Sequence, residues 1–262
     1  MRQWIDCHVH YAPMAPGALR AAVDASPYRN KYLLYGAVDE TRADLSGTLN
    51  PDRPAFVIPF VFKETEIAGS NEALGAFAAQ NADRAYVLPL MGEGAEAVLA
   101  LPNAIGMKEH FLLHNPFACA LRDRYYRLLN DSGKLLLLHC KDGVRLEYVK
   151  HLRQTYPNMI IQVAHLGVDR ANPGITEALW KYFREDDRVY YDLSTVYDEG
   201  LLRRAFEIIP PGQLLFGTDI PYLKGTPGPE KFADLIARLL PEGQAEGVFS
   251  ANAGALLNKL LK

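Results

Sequence analysis

Five imidazole or carboxylate side chains and one lysine fall where apolar runs of this sequence stop. His8-Val9-His10 closes the first run, Lys108 follows Ala104-Ile105-Gly106-Met107, and His139 follows Leu135 to Leu138. His165 follows Ile160 to Ala164, and Asp219 follows Leu214 to Thr218. In a strand, residues i and i+2 share a face, so His8 and His10 point the same way. Two imidazoles buried together are costly without partners, and a divalent metal is a usual partner for such convergence. Plain hydrogen bonding explains an isolated His-x-His pair equally well. The wider set changes that balance, because chance rarely closes five separate strands with groups of this chemistry.

The elements that must position these residues alternate. Strands are expected at 3–9, 55–62, 85–90, 104–108, 134–140, 159–165, 188–194 and 213–218. Helical spacing covers 71–80, 117–131, 144–156, 174–184 and 200–209, with two more helices at 229–240 and 251–261 after the last strand. Strands such as Leu135-Leu136-Leu137-Leu138 are apolar on consecutive residues, so both faces are buried, as in a parallel sheet covered by helices. Eight strand-helix units predict one α/β domain over 1–262, a single (β/α)8 barrel, slightly distorted, rather than an open sheet. No glycine-rich phosphate loop follows the first strand. In such a barrel the strand-end residues share the C-terminal mouth where active sites are built. The spacing agrees, since His139 and His165 are one unit apart and His165 and Asp219 about two. Residues 11–54, with Pro13, Pro16, Pro27, Pro51, Pro54 and a cluster of tyrosines, exceed a simple loop and read as a lid or pocket wall after the first strand.

Composition removes other classes. The chain has 262 residues, 49% hydrophobic and 23% charged, with a formal charge of -3, which fits neither a disordered chain nor a basic nucleic-acid or membrane-binding surface. No run reaches the ~18 apolar residues of a membrane span, and the N-terminus lacks a secretory pattern. A cytoplasmic protein with reduced Cys7, Cys119 and Cys140 is the expectation.

The motifs Ile5-Asp6-Cys7-His8-Val9-His10, Ile105-Gly106-Met107-Lys108-Glu109-His110, Leu136-Leu137-Leu138-His139, Val163-Ala164-His165-Leu166-Gly167 and Leu215-Phe216-Gly217-Thr218-Asp219-Ile220-Pro221 come in an order that is specific in combination. The sequence thereby resembles the amidohydrolase superfamily, in its branch of short metal-dependent barrels that includes decarboxylases and lactonases. The resemblance implies a divalent metal, zinc by preference, held by His8, His10 and Asp219 with His139 as a further ligand. In single-metal members the match of His165 acts on substrate or water. In two-metal members the matches of His139 and His165 hold a second ion, bridged by a carboxylated lysine at the position of Lys108. The Gly-Met-Lys-Glu-His context resembles the single-metal branch, so one ion is favoured over two.

Such a centre suits a metal-dependent hydrolase that uses an activated water. Asp219 is the candidate general base, His165 a base or electrophile, and Lys108 a neutraliser of developing charge. The expected substrate is a small amide, lactone or ester, anionic because Lys141, Arg145, Arg170 and Lys224 crowd the same mouth, with Tyr197 and Tyr222 as further contacts; solvated loop charges are the plain alternative. A decarboxylase and a non-catalytic metal-binding barrel are the rivals. A homo-oligomer stays open; nucleic acid and membrane are not expected partners. Alternation turns Cys7 and Cys140 toward the helices; His110 and His114 fall in the loop after strand four, from which His110 could enter the site at the barrel mouth, and His151 on a helix surface.

Overall fold

Eight parallel strands and their intervening helices follow one another in the order the sequence predicts. The computed structural model describes residues 3–12, 18–25, 45, 49, 53–61, 66–110, 119–139, 146–169, 172–221 and 227–262. Strand β1 (Asp6–Tyr11) is followed by α1 (Ala18–Ala25), β2 (Ala55–Pro59), α2 (Ile67–Gln80), β3 (Ala85–Val87) and α3 (Ala95–Leu99). The middle comprises β4 (Gly106–His110), α4 (Cys119–Asp131), β5 (Leu135–His139), α5 (Leu146–Thr155), β6 (Ile160–Val163) and α6 (Pro173–Phe183). The last part comprises β7 (Val189–Asp192), α7 (Glu199–Ile208), β8 (Leu214–Leu215), α8 (Pro229–Leu239), α9 (Glu242–Glu246) and α10 (Asn252–Leu260).

The ladders join β1-β2-β3 and β4-β5-β6-β7-β8, each in sequence order and parallel. Two seams complete the (β/α)8 barrel. Between β3 and β4, Val87 bridges Ala104 and Leu90 bridges Lys108, with the Lys108 amide donating to Pro89 O at 2.8 Å. Between the β8 segment and β1, Val9 bridges Ile220, Cys7 N–H donates to Phe216 O at 2.8 Å, and Asp219 N–H donates to His8 O at 2.7 Å. Strand β8 stops early because the chain beyond Leu215 hydrogen-bonds partly with side chains of the first strand.

Inward-facing residues Phe56, Ile58, Leu135, Leu137, Ile160, Tyr190 and Leu215 fill the barrel, and Leu256 and Leu260 of α10 belong to the same cluster and close the end opposite the site. Outward-facing Leu136, Leu138, Ile161, Val163, Val189 and Tyr191 pack under the helices with Trp180, Phe183 and Phe232. Each such fully buried large apolar side chain contributes roughly 1.5–3 kcal/mol. Gly106 permits the close approach of β4 to β5, since a Cβ there would meet the Leu135 carbonyl oxygen at 1.9 Å.

Three expectations change. Cys7 packs among the inward residues and not against the helices. The register of β1 against β2 slips between Asp6 and Val9, because the Asp6 carboxylate takes the His8 N–H (3.2 Å) and Gln162 takes the Cys7 carbonyl (2.9 Å). Such a bulge cancels simple alternation. Strand four runs past Lys108, so Lys108 is fully buried one position below the rim and His110, in place of a loop position, is its last residue. The stretch 11–54 contains the end of β1, α1 and the lead into β2, and its residues Leu45 and Leu49 are buried; residues 13–17, 26–44, 46–48 and 50–52 of the expected lid lie outside the described residues. His151 is exposed as expected, and Cys140 and His114 lie outside the described residues.

Candidate metal centre

His8 and His10 leave β1 on the inward face, and both Nε2 atoms meet Asp219 Oδ1, at 3.3 and 3.1 Å. For neutral rings, the contacts of the other nitrogens select the tautomer. His8 Nδ1 lies 3.1 Å from Asp192 Oδ2 and His10 Nδ1 lies 3.4 Å from Pro59 O, acceptors that require an N–H on each ring. Both Nε2 atoms therefore carry lone pairs, aimed at a carboxylate oxygen that also carries only lone pairs. Three electron-pair donors within 4.8 Å of one another form a site that fits a divalent cation. Lys108 Nζ, 3.3 Å from His8 Nε2, supplies positive charge there.

The ionisation of the group agrees with that fit. Burial first, and Lys108 second, push His8 down to about 4, which keeps it neutral and able to ligate. Burial opposes charge on Asp219, yet the neighbouring His8 and the His10 contact outweigh it and hold its carboxyl well below the usual carboxylate range. Asp192 behaves likewise, with His8 and Ser194 outweighing burial. Asp6, in contrast, is pushed up to about 7 by burial, with hydrogen bonds from Thr218 and His8 opposing.

His139 and His165 come together beside this trio. His165 Nε2 lies 3.2 Å from His139 Nδ1, and His165 Nδ1 lies 3.0 Å from the Ser194 carbonyl and 2.8 Å from its hydroxyl. The carbonyl puts the proton on His165 Nδ1, so its Nε2 accepts from His139 Nδ1–H and leaves the His139 lone pair on Nε2. Burial, followed by His110 and His165, drives the His139 pKa well below the ordinary histidine value. His165 follows β6 in a turn at φ 54, next to Leu166 at φ 56, in the left-handed region. Thr195 (φ 59) and Asp219 (φ 63) adopt it too, so four strained residues cluster at this mouth, as is common at functional sites.

Sequence reading missed three contributors, Asp192, Gln162 and Ser194. Asp192 orients His8 and also accepts from Gln162 Nε2 (2.8 Å), Ser194 N–H (3.2 Å) and His165 N–H (3.1 Å). Ser194 Oγ bridges His8 and His165 and donates to Asp192 in a short contact, so the cluster His8–His165–Asp192 is a hydrogen-bond network behind the first trio. The signal was present, since Asp192 closes the apolar strand seven as Asp219 closes strand eight, and Gln162 interrupts an apolar run. Gly217 keeps this wall thin, because a Cβ there would sit 3.2 Å from His8 Cβ. His110, whose entry into the site the sequence left open, lies with its ring centroid 4.4 Å from that of His139. Tyr197, expected at the substrate, stacks edge-on against Phe232 at 4.9 Å, which places it in the helix layer. Lys141, Arg145, Arg170, Tyr222 and Lys224 lie outside the described residues.

The model of the amidohydrolase family matches residues 5–259. An amidohydrolase from Burkholderia multivorans with bound zinc has a similar structure, at TM-score 0.70 and 14% identity over 98% of this chain and 99% of that one. A dihydroxybenzoic acid decarboxylase from Polaromonas, with bound manganese and the inhibitor 2-nitroresorcinol, gives 0.64 and 14% over 98% and 97%. The 2,6-dihydroxybenzoate decarboxylase from Rhizobium gives 0.64 and 15% over 98% and 99%. No curated protein sequence matches the chain significantly. Among the described residues, no helix is long and apolar enough to cross a membrane.

Proposed function

Because this chain belongs to the amidohydrolase family, we propose that it is a metal-dependent enzyme holding one divalent ion, zinc by preference, on His8, His10, His139 and Asp219. It hydrolyses an amide, ester or lactone bond of a small anionic molecule. One observation carries the reading: two Nε2 lone pairs meet a single carboxylate oxygen while both Nδ1 atoms are turned onto acceptors. A divalent ion bound there would lower the pKa of water to ~7 and polarise a substrate carbonyl.

The chain's own groups have separate tasks. Asp219, held ionised, takes the proton of the attacking water and returns it to the leaving group. Lys108, fully buried with Nζ beside His8, neutralises charge that develops on substrate oxygen. His165 is kept by Ser194 with a lone pair on Nε2, which suits it to orient His139 and to accept a proton. Charge counting favours an anionic substrate. Asp192 and Asp219 as carboxylates and Lys108 as an ammonium leave one negative charge, which a divalent ion turns into one positive charge. Lys141, Arg145 and Tyr222 of the following loops are assigned to the substrate in this reading, which treats the chain as one domain acting in the cytoplasm.

A second reading is decarboxylation of a small aromatic acid, supported by the dihydroxybenzoate decarboxylases among the similar structures. Purified protein loaded with zinc or manganese is to be assayed on lactones, amides and benzoic acids, following hydrolysis product and carbon dioxide separately. Hydrolysis lost on chelation and in His8→Ala supports the main reading. Carbon dioxide release without hydrolysis selects the second, and turnover that survives both perturbations defeats the metal mechanism.

A further inference from the structure

The two ends of the metal trio come from opposite ends of the chain, and the described structure contains a hydrogen-bond clamp that ties them together. Asp6 Oδ1 accepts the backbone N–H of His8 at 3.2 Å and that of Thr218 at 3.0 Å. Asp6 Oδ2 accepts the Thr218 hydroxyl at 2.7 Å, across 212 residues of sequence. The same hydroxyl oxygen accepts the N–H of Ile220 at 3.2 Å. Both flanks of Asp219 are therefore anchored to one carboxylate, directly at residue 218 and through the hydroxyl at residue 220.

Backbone bonds alone would leave this corner underdetermined. Asp219 N–H reaches His8 O at 2.7 Å and His10 N–H reaches Ile220 O at 2.6 Å, but Asp219 has φ 63, a conformation costing a non-glycine residue roughly 1–3 kcal/mol. Such a residue persists only where its neighbours are fixed. The same Asp6 carboxylate diverts the His8 N–H from the β1–β2 ladder, at the slip that turns Cys7 inward while His8 and His10 face Asp219. One side chain thus acts on two of the proposed ligands.

The geometry points to Asp6 and Thr218 as positioning residues that set the spacing between His8 and Asp219 and thereby the affinity for the divalent ion. This inference rests on the metal-centre reading above. Neither residue touches the ion or the substrate. Partners of this kind typically tune metal affinity ~10–100-fold.

The test measures zinc affinity of the full chain by chelator competition, with thermal unfolding of the metal-free protein as a control. Thr218→Val keeps the size of the side chain and removes both hydroxyl bonds, and Thr218→Ser keeps them. The expected result is a zinc Kd weakened ~10–100-fold in Thr218→Val and restored in Thr218→Ser. Leu152→Ala, on α5 in the helix layer outside the barrel, lowers stability without moving the zinc Kd. A Thr218→Val protein with wild-type zinc Kd overturns the inference, as does a Thr218→Ser protein as impaired as Thr218→Val. If Thr218→Val does not fold, Thr218→Ala replaces it: it too removes both hydroxyl bonds, and an unchanged zinc Kd again overturns the clamp. Wild-type protein that binds zinc no better than His8→Ala brings down the metal reading itself, a result distinct from failure of the clamp alone.

Discussion

Replacing Asp192 by asparagine isolates the carboxylate that fixes the His8 tautomer. Oδ1 of Asp192 faces three donors, the amides of Ser194 and His165 and the Ser194 hydroxyl, so an asparagine keeps its oxygen there. Its amide nitrogen then replaces Oδ2, opposite His8 Nδ1 at 3.1 Å and Gln162 Nε2 at 2.8 Å. Donor meets donor at both contacts. Gln162 can respond by turning its amide, because its Oε1 has no hydrogen-bond partner among the described residues, at the loss of its bond to the Cys7 carbonyl. The Ser194 hydroxyl left to His8 Nδ1 is a longer contact at 3.3 Å and is already engaged by His165, so His8 responds by moving its proton to Nε2, the atom that faces Asp219. A charge-assisted hydrogen bond of ~1.5–3 kcal/mol is lost from the ligating form. At about 1.4 kcal/mol per factor of ten, zinc affinity should fall roughly 10–100-fold. The assay is chelator competition at neutral pH, combined with 15N NMR of the imidazoles in the metal-free protein. The wild type should show His8 protonated on Nδ1 and the variant on Nε2. A variant with wild-type zinc Kd and an unmoved His8 proton would refute the reasoning.

Three further outcomes are expected. Zinc at about 100 times its Kd should stabilise the wild type by ~2.7 kcal/mol through binding only the folded state, seen as a raised Tm that disappears with chelator and in His8→Ala; a Tm unmoved by zinc contradicts the site. Leu137→Ala, which empties part of the fully buried barrel interior, should cost ~2–5 kcal/mol in urea unfolding, and a loss below 1 kcal/mol would place that side chain outside a packed core. Acid stability of the metal-free protein should depend on Asp6. His8, pushed down to about 4, makes a contribution that is lost as pH falls from its unfolded value near 6.5, whereas Asp6, pushed up to about 7, makes one that is full below about pH 4 and is lost as pH rises toward 7. The two oppose each other between pH 4 and 6.5, so Asp6→Asn should lose Tm more steeply on acidification than the wild type; parallel Tm profiles would show that Asp6 carries no such shift.

Legibility of this molecule from its sequence follows the range of each interaction. The eight strands were readable because each is a short apolar run whose signal is local, and the ligand-bearing ends were readable because a polar group closing such a run breaks the pattern at one position. The failures occurred where a side chain acts on a distant backbone. Alternation sends Cys7 outward, but Asp6 takes the His8 amide and Gln162 takes the Cys7 carbonyl, and a ladder interrupted in this way no longer alternates. The strand-end rule made His165 the last residue of strand six, whereas its N–H is drawn to Asp192 and the chain enters a left-handed turn that brings Nε2 to His139. Asp192 meets the same rule that found Asp219, yet its task, orienting a ring 184 residues away, exists only once closure at the seam leaves a single strand between β7 and β1. Ligand identity is therefore a property of strand ends, while ligand geometry is a property of barrel closure. The two are joined at the seam where the first strand meets the segment after the last, and there the bonds of Asp6 and Thr218 hold an aspartate in a conformation its own sequence does not favour.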